Sequence, residues 1–272
     1  MPSEQDIQSF LEVLWDFYAH NKRADLPWRQ PGADEQFDPY KIMVSELMLQ
    51  QTQVTRVIPK YREFLDTFPD VATLASAELG DVLRAWQGLG YNRRAKFLWQ
   101  AAQAIDAQGS FPDTIPELVK LPGIGLNTAG AITAYAYNQP VLFIETNVRS
   151  VYIHHFFVDE DAVTDKQILA VLEMTVDQEN PREFYWALMD YGSHLKTTIG
   201  NAARASKHYT KQSTFKGSKR QVRGQVLRIL GVEPTVLAVL QVEIPDERLS
   251  GVLTDLLSEG LIRLRVDGTY YL

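Results

Sequence analysis

Apolar residues recur at three- and four-residue intervals through most of this chain, and that spacing predicts helices. Ile7, Phe10, Leu11, Leu14, Trp15 and Tyr18 share one face of a helix over residues 7–18. A loop containing Pro and Gly fills 26–39, followed by amphipathic stretches over 40–51 and 54–68. Short helices are expected over 71–75 and 79–87, stopped by Gly88 and Gly90. The series continues over 92–107, 115–121, 127–137, 147–157, 165–176 and 181–194. No fixed period emerges, so the pattern predicts a compact all-α fold rather than a solenoid. The last stretch changes character. Helical segments over 219–230, 235–242 and 246–258 precede two short runs, 261–266 and 269–272, joined by the hairpin turn Asp267-Gly268. Three helices and a hairpin fit a winged-helix-like module, and a small helical cap with a solvent-side hairpin is the plainer reading. The expected organisation is a helical region over 1–195, a basic connecting loop over 196–218 and the C-terminal module over 219–272.

Composition narrows the classes. The chain has 272 residues, 45% of them hydrophobic, with no cysteine. It is too apolar for a disordered protein and holds no run of the ~18 apolar residues a membrane helix needs. The polar start MPSEQDIQ does not read as a signal peptide, so a cytoplasmic protein is expected. Zero cysteines exclude disulfides, thiolate nucleophiles and cysteine-held clusters. The five histidines share no ligand spacing, so no metal site is expected.

Charge is unevenly spread. The chain carries 27 basic and 34 acidic residues, yet the stretch 191–232 holds nine basic residues and no acidic one. Such an asymmetry is the footprint of an anion, with phosphate the obvious candidate, or else a solvated linker. Lys207, Lys211 and Lys216 are the expected phosphate contacts.

The loop Leu121-Pro122-Gly123-Ile124-Gly125 lies between two predicted helices. Its glycines permit close backbone approach to a ligand, at the positive end of the next helix. Alone it could be a tight turn between helices. It is followed by Asn127-Thr128-Ala129-Gly130 and, further on, by Glu145 in the string FIETNVR.

With these residues the string LPGIGLNTAGAI resembles the helix-hairpin-helix of the endonuclease III superfamily of DNA glycosylases. Leu26-Pro27-Trp28-Arg29, Asp38-Pro39-Tyr40, SELMLQQTQV over 45–54 and Gly88-Leu89-Gly90-Tyr91 resemble its adenine-glycosylase branch. The resemblance runs from about Leu26 to about His194. It implies a helix-hairpin-helix glycosylase fold of two helical subdomains that takes double-stranded DNA with a mismatched or damaged base.

The resemblance also implies roles. Glu46 matches the general acid that protonates the departing base, which without a proton leaves poorly. Glu46 sits among Ile42, Met43, Val44, Leu47, Met48 and Leu49, where desolvation favours the neutral acid. Glu145 matches the family's aspartate that supports the developing sugar cation, with one methylene more, and Asn147 matches the asparagine beside it. Asn127 stands where bifunctional members place a Schiff-base lysine, so hydrolysis to an abasic site without strand cleavage is expected. Its alternative role is a cap on the second hairpin helix. Gln51 matches the wedge that fills the space of a flipped nucleotide, and Tyr91 the aromatic that intercalates beside the opposite base. Arg29 resembles a base-reading pocket residue, and Leu121, Gly123 and Gly125 form the DNA-binding hairpin.

The departures are equally specific. The four cluster cysteines of the family are absent, and a basic stretch stands in their place. No cofactor is expected, a monovalent cation at the hairpin being the one ion the resemblance allows. The family's 8-oxoguanine-recognising domain is not visible, and the winged-helix-like tail stands there instead. The expected function is a monomeric, monofunctional glycosylase in base excision repair, removing adenine opposite guanine or 8-oxoguanine. A glycosylase for uracil, mismatched thymine or an altered purine, or a catalytically silent DNA-binding protein, are the rival readings.

Overall fold

The computed structural model describes residues 1–158, 160–210 and 214–272. Helices dominate in the order the periodicity predicts: α1 Glu4–Asn21, α2 Pro39–Leu49, α3 Val54–Thr67, α4 Val71–Ser76, α5 Leu79–Ala85, α6 Arg93–Gln108, α7 Ile115–Leu118, α8 Leu126–Tyr137, α9 Thr146–Phe156, α10 Asp165–Thr175 and α11 Pro181–Thr198. The tail is α12 Lys219–Val232, β1 Thr235–Val236, α13 Leu237–Glu243, α14 Leu249–Ser258, β2 Arg263–Leu264 and β3 Thr269–Tyr271.

The chain divides into two compact units. The first comprises Met1–Ile42, Asp113–Val119 and Ile124–Lys211. Its α1 starts with a Ser3–Asp6 capping box, which satisfies two otherwise orphaned donors reciprocally. Phe10, Leu14 and Tyr18, four residues apart, are the face that α1 buries, and it packs on α11. Helices α8 and α9 also pack on α11, around the buried rings of Phe143, Tyr152, Phe184 and Tyr185. Phe143 and Tyr185 stack with centroids 4.0 Å apart.

The second unit comprises Met43–Pro112, Lys120–Gly123 and Gln212–Leu272. Its core forms where α4 and α5 meet α6, with Phe64 edge-on to Trp86 at 6.0 Å. The C-terminal module belongs to this unit. Its three strands form an antiparallel sheet in the order β1-β3-β2, and helix, strand, two helices and hairpin give the order of a winged helix. Thr235 and Val236 are strand rather than the start of a helix, because they pair with Tyr270 and Thr269. Both are β-branched, and a long-range partner decides what local periodicity could not. Helix α12 packs on α5, where Arg84 Nε donates to the Gly231 carbonyl at 3.0 Å. A Cβ on Gly231 would meet only the end of the flexible Gln87 side chain, which can swing aside.

Candidate active site

In the first unit the site is built where the N-terminal end of α9 meets α11, with the first turn of α8 bonded to the segment just before α9. Glu145 is the N-cap residue of α9, at φ −102° and ψ 173°, and its side chain makes no capping bond. Ser, Thr, Asp or Asn is the usual choice there, so the glutamate answers some other demand than capping. The positive end of α9 favours its negative charge. Asn127 does not cap α8 either. The N-cap is Gly125, and Asn127 Oδ1 accepts the N–H of Ile144 at 3.3 Å, pinning the backbone one residue before Glu145.

Asn147 lies in the first turn of α9 and presses on α11. A Cβ on Gly192 would sit 2.8 Å from the Asn147 Cβ and carbonyl oxygen, so α11 needs glycine there. One turn on, Lys196 donates from Nζ to Asn147 Oδ1 at 2.7 Å. The Asn147 amide nitrogen points at Met189 Sδ, 3.5 Å away. Burial pushes the Lys196 ammonium down from the usual lysine value, while the Glu145 charge pulls it back up.

Arg29 is buried, with both terminal nitrogens donated to Asp190 at 2.8 Å. Arg23 adds a third arm through Nε, 2.7 Å from Asp190 Oδ1. Burial pushes the Asp190 carboxyl up, but the Arg29 and Arg23 partners outweigh it and hold it below the ordinary range. Arg29 Nε has no hydrogen-bond partner among the described residues. Arg29 is therefore tied into an ion-pair triad rather than presented on the surface.

In the second unit Glu46 is half-buried on α2, between the fully buried Ser45 and Leu47. Just past this helix Gln51 has φ +55°, and in the turn before α6 Tyr91 has φ +47°. Left-handed backbone is uncommon for either residue type and marks a place where surrounding structure enforces the turn. The enforcing group is Arg94. Its guanidinium donates to the carbonyls of Leu47 at 2.6 Å, Met48 at 3.0 Å and Gln50 at 2.5 Å, all at the end of α2. It also reaches the carbonyls of Leu89 at 3.3 Å and Gly90 at 3.1 Å. One buried cation thus staples the Gln51 and Tyr91 turns together, and burial lowers its pKa to about 10. Sequence reasoning passed over Arg94 and Asp190. The available signal was the same for both, a lone charge inside an otherwise apolar helical stripe.

Gln51 and Tyr91 line a cleft of about 1190 Å³ whose far wall is α12. Arg56, Arg93, Arg220, Arg223 and Arg228 also line it, with Glu259 the single acid. Arg220 bonds the Tyr91 hydroxyl and stacks over its ring, 5.3 Å from the centroid. The acid-free run in the sequence is thereby broken up. Lys219 pairs with Asp255 at 2.5 Å and Arg223 with Glu259, both acids coming from the α14 end of the module.

The loop at 121–125 joins α7 to α8. Gly123 has φ +77°, and a Cβ there would lie 2.5 Å from Phe97 Cβ, whereas Gly125 faces open space. Leu121 is buried. Lys207 and Lys216 are exposed, and Lys211 lies outside the described residues. A four-cysteine cluster does not fit this chain, which offers no thiolate. Instead the 3-10 turn Ala202–Ala205 packs on α9, and Val163 pairs with Ser206, with Val163 N to Ala205 O and Lys207 N to Val163 O both 3.0 Å. Packing and backbone pairing organise this loop. Among the described residues no group of acids and histidines is arranged to hold a metal, and no helix is long and apolar enough to cross a membrane.

Comparison with known proteins fits this geometry. The family model described as HhH-GPD superfamily base excision DNA repair protein matches residues 44–177. The adenine DNA glycosylase of Mycolicibacterium smegmatis is 34% identical over an alignment covering 95% of this chain and 94% of the relative. That of Mycobacterium tuberculosis is 35% identical, covering 95% and 92%. That of Buchnera aphidicola is 35% identical over 190 residues, 68% of this chain, which spans about half (52%) of that relative's length. Among solved structures, a thermostable thymine-DNA glycosylase superposes with TM-score 0.60 at 22% identity, over 70% of this chain and 87% of that one. Endonuclease III in a non-covalent DNA complex gives 0.58 at 16% identity, over 70% and 85%. At such identities the structures speak for the fold. The chain belongs to the HhH-GPD superfamily of base excision DNA repair proteins. Within it, the relatives matched over nearly the whole chain are adenine DNA glycosylases.

Proposed function

We propose that this protein releases adenine from mispairs in double-stranded DNA, opposite guanine or 8-oxoguanine, by hydrolysing the N-glycosidic bond. The observation that carries the reading is Glu145 at the head of α9, with its backbone pinned by Asn127 and its neighbour Asn147 held by Lys196. A carboxylate fixed in that way needs no reorganisation when positive charge develops on the sugar.

Glu46 gives its proton to a ring nitrogen of the base as the bond between sugar carbon and base breaks, the electron pair leaving with the base. Glu145 stabilises the sugar cation, and water adds to the same carbon and loses a proton, which restores the Glu46 acid. The products are free adenine and an abasic site. With Asn127 in place of an amine, no imine with the sugar forms, so the strand stays intact. Gln51 and Tyr91, on turns that Arg94 stiffens, fill the gap in the stack, and the arginines of the cleft hold phosphates. Lys207 and Lys216, both exposed, contribute phosphate contacts of their own. No metal or cluster takes part in this scheme, and a single chain carries every residue it uses.

The test is a duplex panel with adenine opposite each base and opposite 8-oxoguanine, plus uracil, thymine mismatches and altered purines. Alkali-labile sites confined to adenine strands, with no nick before alkali and no borohydride-trapped adduct, support the proposal. Labile sites at another base, or none at all, contradict it.

A further inference from the structure

We propose that Lys196 is a positioning residue for base release, its ammonium fixing the Asn147 amide and restraining the Glu145 carboxylate; this rests on the function proposed above. Three observations converge. Lys196 is half-buried in the last turn of α11, yet its Nζ is spent on Asn147 Oδ1 at 2.7 Å rather than on the end of its own helix. Gly192, one turn earlier on the same face, lets the Asn147 backbone close against α11, so the lysine reaches its target by helix spacing alone. The Glu145 charge acts on the same ammonium, offsetting part of the burial that disfavours it.

The chemistry gives the lysine a purpose. An asparagine amide can present either end, and a cation at its oxygen selects one orientation. A glutamate has one more rotatable bond than an aspartate, so a carboxylate reached by Glu145 needs an external restraint to stay where the sugar cation forms. The Lys196 ammonium, held on the neighbouring Asn147 and acted on by the Glu145 charge, supplies it electrostatically. Lys196 then acts on the rate of base release and hardly on DNA affinity, because it touches protein groups only.

Lysine-free chemistry at this position is easy to arrange, since the chain has no cysteine and Lys196→Cys carries its sole thiol. Alkylation with an aminoethyl group restores a lysine-like ammonium, whereas carbamidomethylation gives a neutral chain of similar size. Single-turnover release of adenine and binding to a duplex with a non-hydrolysable 2′-fluoro adenosine are measured for each, with Lys196→Met as a second neutral variant. The neutral forms should release base about tenfold to a hundredfold more slowly, the loss of one charge-assisted hydrogen bond, with affinity within about twofold. The aminoethyl form should recover most of the rate. Neutral forms at the wild-type rate, affinity falling in step with rate, or equal recovery by both alkylated forms would overturn Lys196 alone. A wild-type chain that binds these duplexes but releases no adenine would overturn the underlying function and this role with it.

Discussion

At the scale of single residues, the two carboxylates are distinguished by where the chain puts them. Glu46 lies half-buried in the apolar helix α2, and Glu145 lies at the electropositive head of α9. The first environment suits an acid that holds its proton, the second an ion. Glu46→Gln should therefore slow base release by about a hundredfold to ten-thousandfold, the range for a lost general acid, while gel-shift affinity for mispaired duplex is retained. His155 gives a separate prediction. It packs edge-on to Phe10 at 5.1 Å and meets the Tyr191 hydroxyl at 3.0 Å. Burial, with a smaller contribution from His154, lowers its pKa to about 4. The unfolded chain binds the extra proton first, so stability is full above the ordinary histidine value and falls as pH drops towards 4. Urea midpoints at pH 7 and pH 5 should differ less for His155→Gln than for the wild type. Glu46, Glu145 and Asn147 stand out in the sequence as candidates because they sit in long specific strings. Arg94, Asp190 and the partner of Lys196 were not, because each acts through residues distant in the chain, such as Asp190 with Arg29.

At the scale of elements, periodicity found nearly every helix and missed what depends on pairing. The stretch over 181–194 extends to Thr198, and those four added residues bring Lys196 into the helix. Leu195 carries the buried face one residue past His194, and the polar turn after it stays helical because the backbone bonds go on. β1 was invisible, being two residues held only by β3. The packing of α9 on α11 is the element-level feature on which Glu145 depends. Gly192→Ala places a methyl 2.8 Å from the Asn147 backbone, too close to absorb without moving one helix. Overpacking of this kind costs about 1–3 kcal/mol. Denaturant unfolding should show that loss, and single-turnover base release should slow more than DNA binding weakens. Unchanged stability and rate would mean that the two helix ends part without consequence.

At the scale of the whole molecule, a chain of net charge −7 engages a polyanion by concentrating its cations. In the second unit they gather in the cleft beside Gln51 and Tyr91, where α12 contributes three arginines. The run from 191 to 232 pointed to phosphate, but only folding shows that its arginines face Arg56 and Arg93 while α14 neutralises some of its charge. Replacing Arg56, Arg93 and Arg228 by Ala should weaken matched and mispaired duplex alike. It should also flatten the plot of log K against log salt by about 0.9 for each phosphate no longer held. An unchanged slope would remove the cleft from the DNA interface. Whether this fold hydrolyses adenine from DNA is decided by identifying the released base. Enzyme in excess is incubated with an 8-oxoguanine:adenine duplex, and the small-molecule fraction is resolved by chromatography and mass. One free adenine per duplex is expected, with a strand that breaks only after alkali and release by Glu46→Gln slower by about a hundredfold or more. Duplex bound by the wild-type protein without free adenine would contradict adenine hydrolysis as the function.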